Sequence, residues 1–197
     1  MKKKTEVVVV GGGLIGCSIA YYLAKNGKDV VLLEKEDLAS GSSGASAGGV
    51  LFQTKLPGVH LDLALESRKL FDNLAAELDY DIEYRIDGGM VVIETPEDME
   101  AHERFVEDQK KAGLKIELLS PREARRIEPF LTDKIAGVAY HYLDGKVNPL
   151  NLNFGFAKAA KKCGCEIYAG VEVCDIKTRN DKVEAVSTSS GKIETDI

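Results

Sequence analysis

Apolar and polar positions follow one another in blocks, and the first blocks predict a strand, a helix and a second strand. The apolar run at residues 7–10 leads into the glycine-rich stretch 11–16, and an amphipathic segment then continues to Asn26-Gly27. A second apolar run covers residues 30–33 and ends at Glu34. Apolar spacing over residues 14–25 with a stop at Asn26-Gly27 is typical of a helix between two parallel strands.

The glycines between the first strand and the helix have the spacing of a dinucleotide-binding turn. Gly11 permits a tight turn, Gly13 lets the backbone approach a pyrophosphate, and Gly16 lets the helix pack closely on the strand. Glu34 follows the second strand, where its carboxylate can accept hydrogen bonds from adenosine ribose hydroxyls. Its charge would repel a 2′-phosphate, so NADP is disfavoured while NAD and FAD both satisfy the pattern.

Residues 39–49 are rich in glycine, serine and alanine, a composition that also suits a flexible linker. The segment directly follows the expected ribose-binding strand, where the rest of a long dinucleotide must lie. Its position therefore favours contact with the cofactor over a linker.

The pattern changes after a predicted helix at residues 60–79. Short strand-like runs at 82–86, 89–94, 114–118 and 137–142 surround a charged helix from Pro96 to about Lys111 and a short helix that starts at Ser120-Pro121. This is an α+β, antiparallel pattern, and it indicates an inserted second domain. The chain then returns to a helix over 148–162 and to strands, which are expected at residues 166–168, 171–176, 182–188 and 192–197.

Composition narrows the function classes. The 197 residues are 44% hydrophobic and 29% charged, with a formal net charge of -6, which argues against a nucleic-acid partner. No apolar run is long enough to span a membrane, so we expect a cytoplasmic protein, with peripheral membrane association left open. Four cysteines without an export signal suggest a reducing compartment.

The cysteines are expected to be small packed side chains. Cys163, Cys165 and Cys174 lack the fuller, loop-borne ligand set of a metal or cluster site, so we predict no metal and expect them to be buried. Cys17 lies in the first helical turn, where a thiol pKa can be lowered, although inert packing is the favoured interpretation.

Over essentially all 197 residues the chain resembles the N-terminal half of the D-amino-acid-oxidase-like FAD-dependent oxidoreductases. These include glycine oxidase, sarcosine oxidase and the β subunits of proline or hydroxyproline dehydrogenases. The resemblance rests on residues 7–34 and 40–49, Gly88-Gly89-Met90, the helix start at 119–123, the stretch 144–149 and the closing strands. It implies a Rossmann-like FAD-binding domain of the GR2 type, in two parts at 1–83 and 147–197, with a substrate-domain insertion at 84–146.

The resemblance also implies which residues meet the cofactor. Leu14 and Ile15 would lie against the pyrophosphate, Glu34 and Lys35 would contact the adenosine ribose and its surroundings, and the backbone of Val173 would pair with the adenine. The small residues of the glycine- and serine-rich segment would serve the phosphates, through Ser42 and Ser43, and the flavin side, through Ala47, Gly48 and Gly49.

Three departures from the family pattern qualify these expectations. Asn148 stands where relatives commonly have Asp, an exchange that helix capping tolerates. No histidine lies near Ser42, which favours noncovalent FAD. The family's second half is absent, so we expect the chain to be a truncated or partial product.

The resemblance implies oxidation of an amino acid or secondary amine, such as glycine, sarcosine, proline or hydroxyproline, by hydride transfer to flavin N5. Alternatives are a glycerol-3-phosphate or hydroxy-acid dehydrogenase, a catalytically silent FAD-binding fragment, and an NAD-dependent dehydrogenase. No catalytic residue is assigned, because His60, His102 and His141 look isolated in the sequence. The electron acceptor, whether oxygen, a quinone or a partner subunit in a hetero-oligomer, is left open.

Overall fold

The computed structural model describes residues 1–195 and divides the chain into two compact units. The first unit comprises Met1–Gly48, Leu74–Glu83 and the chain from Asn148 onward, and the second comprises Gly49–Asn73 and Tyr84–Val147. Residues 49–73 thus belong to the second compact unit. The expected functional division at 1–83, 84–146 and 147–197 stays a prediction, because compactness does not show which ligand each part binds.

The described residues form seventeen helices and strands. The elements up to the middle of the chain are β1 (Val7–Val10), α1 (Leu14–Lys25), β2 (Val30–Leu33), β3 (Gly49–Val50), α2 (Val59–Leu78), β4 (Arg85–Ile86), β5 (Gly89–Ile93) and α3 (Pro96–Lys111). The remaining elements are β6 (Ile116–Leu119), α4 (Pro121–Ile127), β7 (Gly137–His141), β8 (Gly145–Lys146), α5 (Pro149–Lys162), β9 (Glu166–Tyr168), β10 (Val173–Arg179), β11 (Lys182–Thr188) and β12 (Gly191–Glu194).

A parallel sheet in the order β1-β2-β9 is the scaffold of the first unit. Val7 pairs with Val30 and Val10 with Leu33, while Leu33 also pairs with Tyr168 on the other side. All four residues of the central strand β2 are buried, as expected for a strand covered on both faces. Because the strands are parallel, their carboxyl ends lie at one edge of the sheet, where open α/β sheets bind ligands.

Helix α1 has the bounds that the apolar spacing predicts, and it ends on a glycine signal. Its inward face consists of small side chains and one tyrosine, Cys17, Ala20, Tyr21 and Ala24. Gly27 follows with φ +79°, a conformation that glycine adopts without steric cost. Tyr21 and Tyr22 both pack against the ring of Phe156 in α5, so the two helices are in contact.

An antiparallel sheet in the order β10-β11-β12 completes the first unit. The turn between β10 and β11 places Asn180 and Asp181 at φ 49° and 60°, which suits a tight hairpin. Side chains from β2, β11, β12 and the loop before β10 form one apolar cluster: Val31, Leu33, Val171, Val186 and Ile193. Residues 196–197 of the expected last strand lie outside the described residues.

The second unit contains two antiparallel sheets, β3-β8-β4 and β5-β7-β6, together with α3 and α4. Thr95 caps α3, and Ser120 with Glu123 forms a reciprocal capping box at α4. The expected strand at 82–86 is wrong in extent, because only Arg85–Ile86 pairs, whereas Ile82 is buried outside any strand. The core is an apolar cluster of Phe52, Leu61, Val106, Leu114, Ile116 and Ala139.

Within residues 1–195 no helix combines the length and the apolar character that crossing a bilayer requires.

Candidate dinucleotide-binding site

Two glycines at the turn after β1 are required for different reasons, one for its backbone conformation and one for close packing. Gly11 has φ +105°, and its N–H donates to the Leu33 carbonyl at 2.8 Å. A Cβ atom at Gly16 would lie 1.9 Å from the Gly11 carbonyl oxygen, far inside any allowed contact. The first turn of α1 therefore packs directly on the backbone of the turn.

The start of α1 is capped from a distant part of the sequence. Gly13 is the N-cap residue, and the Leu14 N–H donates to Ser43 Oγ at 2.8 Å. A Cβ at Gly13 would lie 2.9 Å from that hydroxyl oxygen, so the serine sits close over the helix N-terminus. Unpaired N–H groups and the helix dipole at such a terminus favour phosphate. Ile15 is 75% exposed beside them.

Glu34 lies at the carboxyl end of β2 and is held by both its backbone and its side chain. Its N–H donates to the Tyr168 carbonyl at 2.9 Å, and its carbonyl accepts from the Val171 N–H at 2.8 Å. In the side chain, Oε2 accepts from the Gly12 N–H at 2.6 Å and Oε1 from the Glu36 N–H at 2.9 Å. The carboxylate is thereby fixed beside the glycine turn.

The electrostatics keep Glu34 ionised. Burial alone raises the pKa of the Glu34 carboxyl, but the N–H groups of Glu36, Gly12 and Lys35 and the Lys35 charge together outweigh it and hold the pKa below its ordinary value. An ionised carboxylate only accepts hydrogen bonds. It therefore suits ribose hydroxyls and repels an added phosphate.

Sequence reasoning missed one residue of this site, Asn153 in α5. Its side chain is fully buried, and Nδ2 donates to the Gly12 carbonyl at 3.1 Å. The same carbonyl accepts from the Ala39 N–H at 3.1 Å and lies 3.4 Å from Cys17 Sγ. The available clue was a polar residue at a position of α5 whose buried neighbours are apolar, among them Leu152 and Phe156.

The other expected cofactor residues are only partly brought together. Lys35 and Ser42 are exposed next to Glu34 and Ser43, and Val173 packs on the apolar cluster that contains Leu33. Ala47 is exposed, and Gly48 is buried with φ +72°. Gly49 belongs to the second unit, where it pairs with Lys146.

The cysteines only partly match the expectation of buried packing. Cys17 and Cys165 are buried, and burial raises the pKa of each thiol to about 11, which fits inert packing of Cys17. Cys163 and Cys174 are exposed, so the expectation that they are buried is wrong. Cys163 is the C-cap residue of α5 and Cys174 is the second residue of β10. The sequence spacing of the cysteines did not indicate that both positions face solvent. Among residues 1–195 no group of three or more His, Cys, Asp or Glu side chains could hold a metal.

His141, expected to be isolated, has a buried partner in the second unit. Its Nδ1 lies 2.7 Å from Asp144 Oδ1, and both side chains are at most 2% exposed. The Phe52 N–H donates to the same carboxylate oxygen at 3.0 Å. The expectation of isolation is wrong because the turn after β7 brings the two side chains together.

The residues of the first unit fit an adenine dinucleotide. A helix N-terminus preceded by three glycines, a hydroxyl over it and an ionised carboxylate at the neighbouring strand end provide complementary contacts for pyrophosphate and ribose. The arrangement does not by itself choose between NAD and FAD.

Comparison with known proteins makes that choice. The family described as FAD dependent oxidoreductase (DAO) matches residues 6–197. Human mitochondrial dimethylglycine dehydrogenase is 31% identical over 195 residues, which are 98% of this chain and 22% of that protein.

Two solved structures match the fold closely. Glycine oxidase from Geobacillus kaustophilus has a TM-score of 0.93 at 31% identity, covering 99% of this chain and 54% of that one. L-proline dehydrogenase from P. horikoshii has a TM-score of 0.92 at 29% identity, covering 100% and 52%. The chain thus spans about half the length of these two structures. With its fold and glycine turn, this chain belongs to the DAO family of FAD-dependent oxidoreductases.

Proposed function

We propose that the chain is the FAD-binding part of an enzyme that oxidises an amino acid or secondary amine of the glycine, sarcosine, proline or hydroxyproline class. The family supports the cofactor, and relatives named for dimethylglycine, glycine and L-proline support the substrate class. The structural observation that carries the dinucleotide-binding part of the proposal is the ionised Glu34 carboxylate held on the Gly12 N–H beside the start of α1.

The proposed tasks of the chain's own residues follow from their positions. Glu34 accepts hydrogen bonds from the ribose hydroxyls, and the N-terminus of α1 with Ser43 binds the pyrophosphate. FAD, when bound, supplies the acceptor for a hydride from the carbon that bears the substrate nitrogen, and the imine product hydrolyses in water. No side chain is assigned as a general base.

The remaining contacts belong to the same proposal. Ser42 would meet the phosphates and Lys35 the surroundings of the ribose. Ala47, Gly48 and Gly49 would line the flavin side, and Val173 would contact the adenine through its backbone. Because no histidine lies near Ser42, we expect the flavin to be noncovalent.

A binding experiment tests the cofactor first. The purified protein is titrated with FAD and, separately, with NAD and NADP, while the visible flavin spectrum and intrinsic fluorescence are followed. We expect FAD binding to be saturable. We also expect acid precipitation of the protein to release the flavin, because it is bound noncovalently. Binding of NAD without binding of FAD would contradict the proposal.

A second experiment tests the substrate class. The FAD-loaded protein is mixed anaerobically with glycine, sarcosine, dimethylglycine, proline and hydroxyproline, and in parallel with glycerol 3-phosphate and hydroxy acids. We expect bleaching of the flavin by at least one amine. Bleaching by glycerol 3-phosphate or a hydroxy acid alone would favour the other dehydrogenase classes, and a flavin that none of them bleaches would favour a catalytically silent fragment.

The electron acceptor is tested by reoxidation. Once an amine has bleached the flavin, oxygen, a soluble quinone and a cell extract freed of small molecules are added to separate samples. The sample in which colour returns fastest identifies an oxidase, a quinone-linked dehydrogenase or a protein partner, which would include a hetero-oligomer subunit.

A further inference from the structure

We propose that Asn153 is a positioning residue for the dinucleotide turn, whose side-chain amide fixes the Gly12 carbonyl and so aims the Gly13 N–H at the pyrophosphate. The inference rests on the proposed FAD function and deepens it. It assigns a binding task to a helix that lies outside the glycine-rich motif.

The contacts of Gly12 show how completely its carbonyl is held. Asn153 Nδ2 donates to it at 3.1 Å across 141 positions of sequence, and the Ala39 N–H donates at 3.1 Å. Cys17 Sγ lies 3.4 Å from the same oxygen and 3.4 Å from Asn153 Nδ2. Asn153 is the one side-chain amide in this group, and it is fully buried.

A peptide group is planar and trans, so its C=O and N–H point in opposite directions. The oxygen of Gly12 and the N–H of Gly13 belong to the same peptide group. Holding the oxygen against Asn153 in α5 therefore points the Gly13 N–H away from that side chain. The next N–H along the chain, that of Leu14, donates to Ser43 Oγ at 2.8 Å. A glycine pair has little steric barrier against rotating this peptide group, so the orientation depends on the donors.

Packing alone does not account for an asparagine at this position. Asn153 Oδ1 is buried and has no hydrogen-bond partner among the described residues, which costs folding free energy. Its neighbours on the buried face of α5, Leu152, Phe156 and Ala157, are apolar. A side chain without polar atoms would suit stability at least as well, so the amide is better explained by its bond to Gly12.

The test compares two side chains of similar shape at this position. Asn153→Thr keeps a hydroxyl donor, whereas Asn153→Val replaces that hydroxyl with a methyl group. We expect the valine variant to bind FAD about tenfold more weakly than wild type, the loss of roughly one hydrogen bond. The threonine variant is expected to recover most of that loss.

Two further measurements separate positioning from stability. The unfolding midpoint of each FAD-free protein is recorded, and we expect the valine variant to unfold at or near the wild-type midpoint. Amide hydrogen exchange at Gly13 and Leu14 is expected to be faster in the valine variant without FAD. The matched controls are Asn151→Val and Asn151→Thr on the same helix, where the amide bonds to Glu83 at 2.9 Å, and these should leave FAD affinity unchanged.

Several outcomes would overturn the inference. Equal FAD affinity of the valine and threonine variants would exclude a role for the donor. If the loss of FAD affinity is explained by a larger unfolded fraction, or if the Asn151 variants lose as much affinity, Asn153 contributes to stability and not to positioning. If the valine variant does not fold, Asn153→Ser against Asn153→Ala makes the same comparison in a smaller side chain. Failure of wild-type protein to bind FAD would overturn the proposed function itself and the inference with it.

Discussion

The carboxylate of Glu34 and the backbone N–H of Gly12 are joined by a hydrogen bond of 2.6 Å across 22 positions of sequence. The bond ties the end of β2 to the turn that follows β1. It also leaves the other carboxylate oxygen bonded to the Glu36 N–H at 2.9 Å. Both oxygens are thus oriented by backbone groups, which do not change rotamer. In the proposed function, this would fix the acceptor positions for ribose hydroxyls before the cofactor binds.

Glu34→Gln is expected to weaken FAD binding by about 10- to 100-fold, because hydrogen bonds to a charged group contribute about 1.5 to 3 kcal/mol each. The measurement is a titration with FAD at neutral pH. Glu36→Gln is the matched control, since its side chain is exposed and its backbone N–H is retained. Equal losses in both variants would indicate a general charge effect and not a ribose contact.

The lowered pKa of Glu34 gives a defined pH dependence. A carboxyl whose pKa is lower in the folded protein contributes stability that is complete above its ordinary value of 4.5 and is lost as pH falls through the lowered pKa. We therefore expect the Glu34 contribution to stability and FAD affinity to be constant from neutral pH down to about that value and then to decline. Unfolding midpoints measured against pH should show a smaller acid decline in Glu34→Gln than in wild type.

Gly16→Ala tests the contact between α1 and the turn. Its Cβ would overlap the Gly11 carbonyl oxygen at 1.9 Å, so we expect a loss of about 3 kcal/mol or more of unfolding free energy, or no folded protein. Gly41→Ala is the control, because a Cβ there meets nothing within 4 Å. It should change stability by less than about 0.5 kcal/mol. Denaturant unfolding of both variants checks the difference.

The four cysteines should divide into two pairs in a labelling experiment. Cys163 and Cys174 are exposed, whereas burial raises the pKa of Cys17 and Cys165 to about 11. Near neutral pH we expect a thiol-alkylating reagent to modify the first pair quickly and the second pair only after unfolding. Peptide mass spectrometry reports each site separately. Rapid labelling of Cys17 in the native protein would contradict its position on the buried face of α1.

Asp144→Ala tests the buried pair in the second unit. The change leaves His141 buried without its partner at 2.7 Å and removes the acceptor of the Phe52 N–H, so we expect a loss of about 3 kcal/mol of unfolding free energy. Asp87→Ala is the control, because it removes an exposed ion pair with Lys146 and should cost less than about 1 kcal/mol. Similar effects of the two substitutions on denaturant unfolding would argue against a structural role for the buried pair.

Local patterns were sufficient for most helices and strands. The bounds of α1 follow from apolar spacing and the Asn26-Gly27 stop, and α3, α4 and α5 begin one residue after their Thr95, Ser120 and Asn148 caps. These features depend on residues within one or two helical turns of each other. Fold class and cofactor were predicted correctly because the glycine turn, the Glu34 position and the later segments all agree with one family.

Contacts between segments that are distant in the chain could not be predicted from the sequence. Nothing in residues 11–16 indicates that Ser43 caps α1 or that Asn153 holds the Gly12 carbonyl. The pairing of His141 with Asp144 depends on the shape of the turn between β7 and β8. In each case the side chains have common polar types, and only the tertiary fold brings them together.

The bond from Asn153 to Gly12 also bears on the order of folding during synthesis. The glycine turn leaves the ribosome more than a hundred residues before α5, and β9 follows α5 to pair with the outer edge of β2. Until those residues emerge, the Gly12 carbonyl lacks one donor and one edge of the central strand is unpaired. The nascent N-terminal segment is therefore expected to be a poor binder of FAD and a candidate for chaperone association, even though it already contains the whole glycine motif.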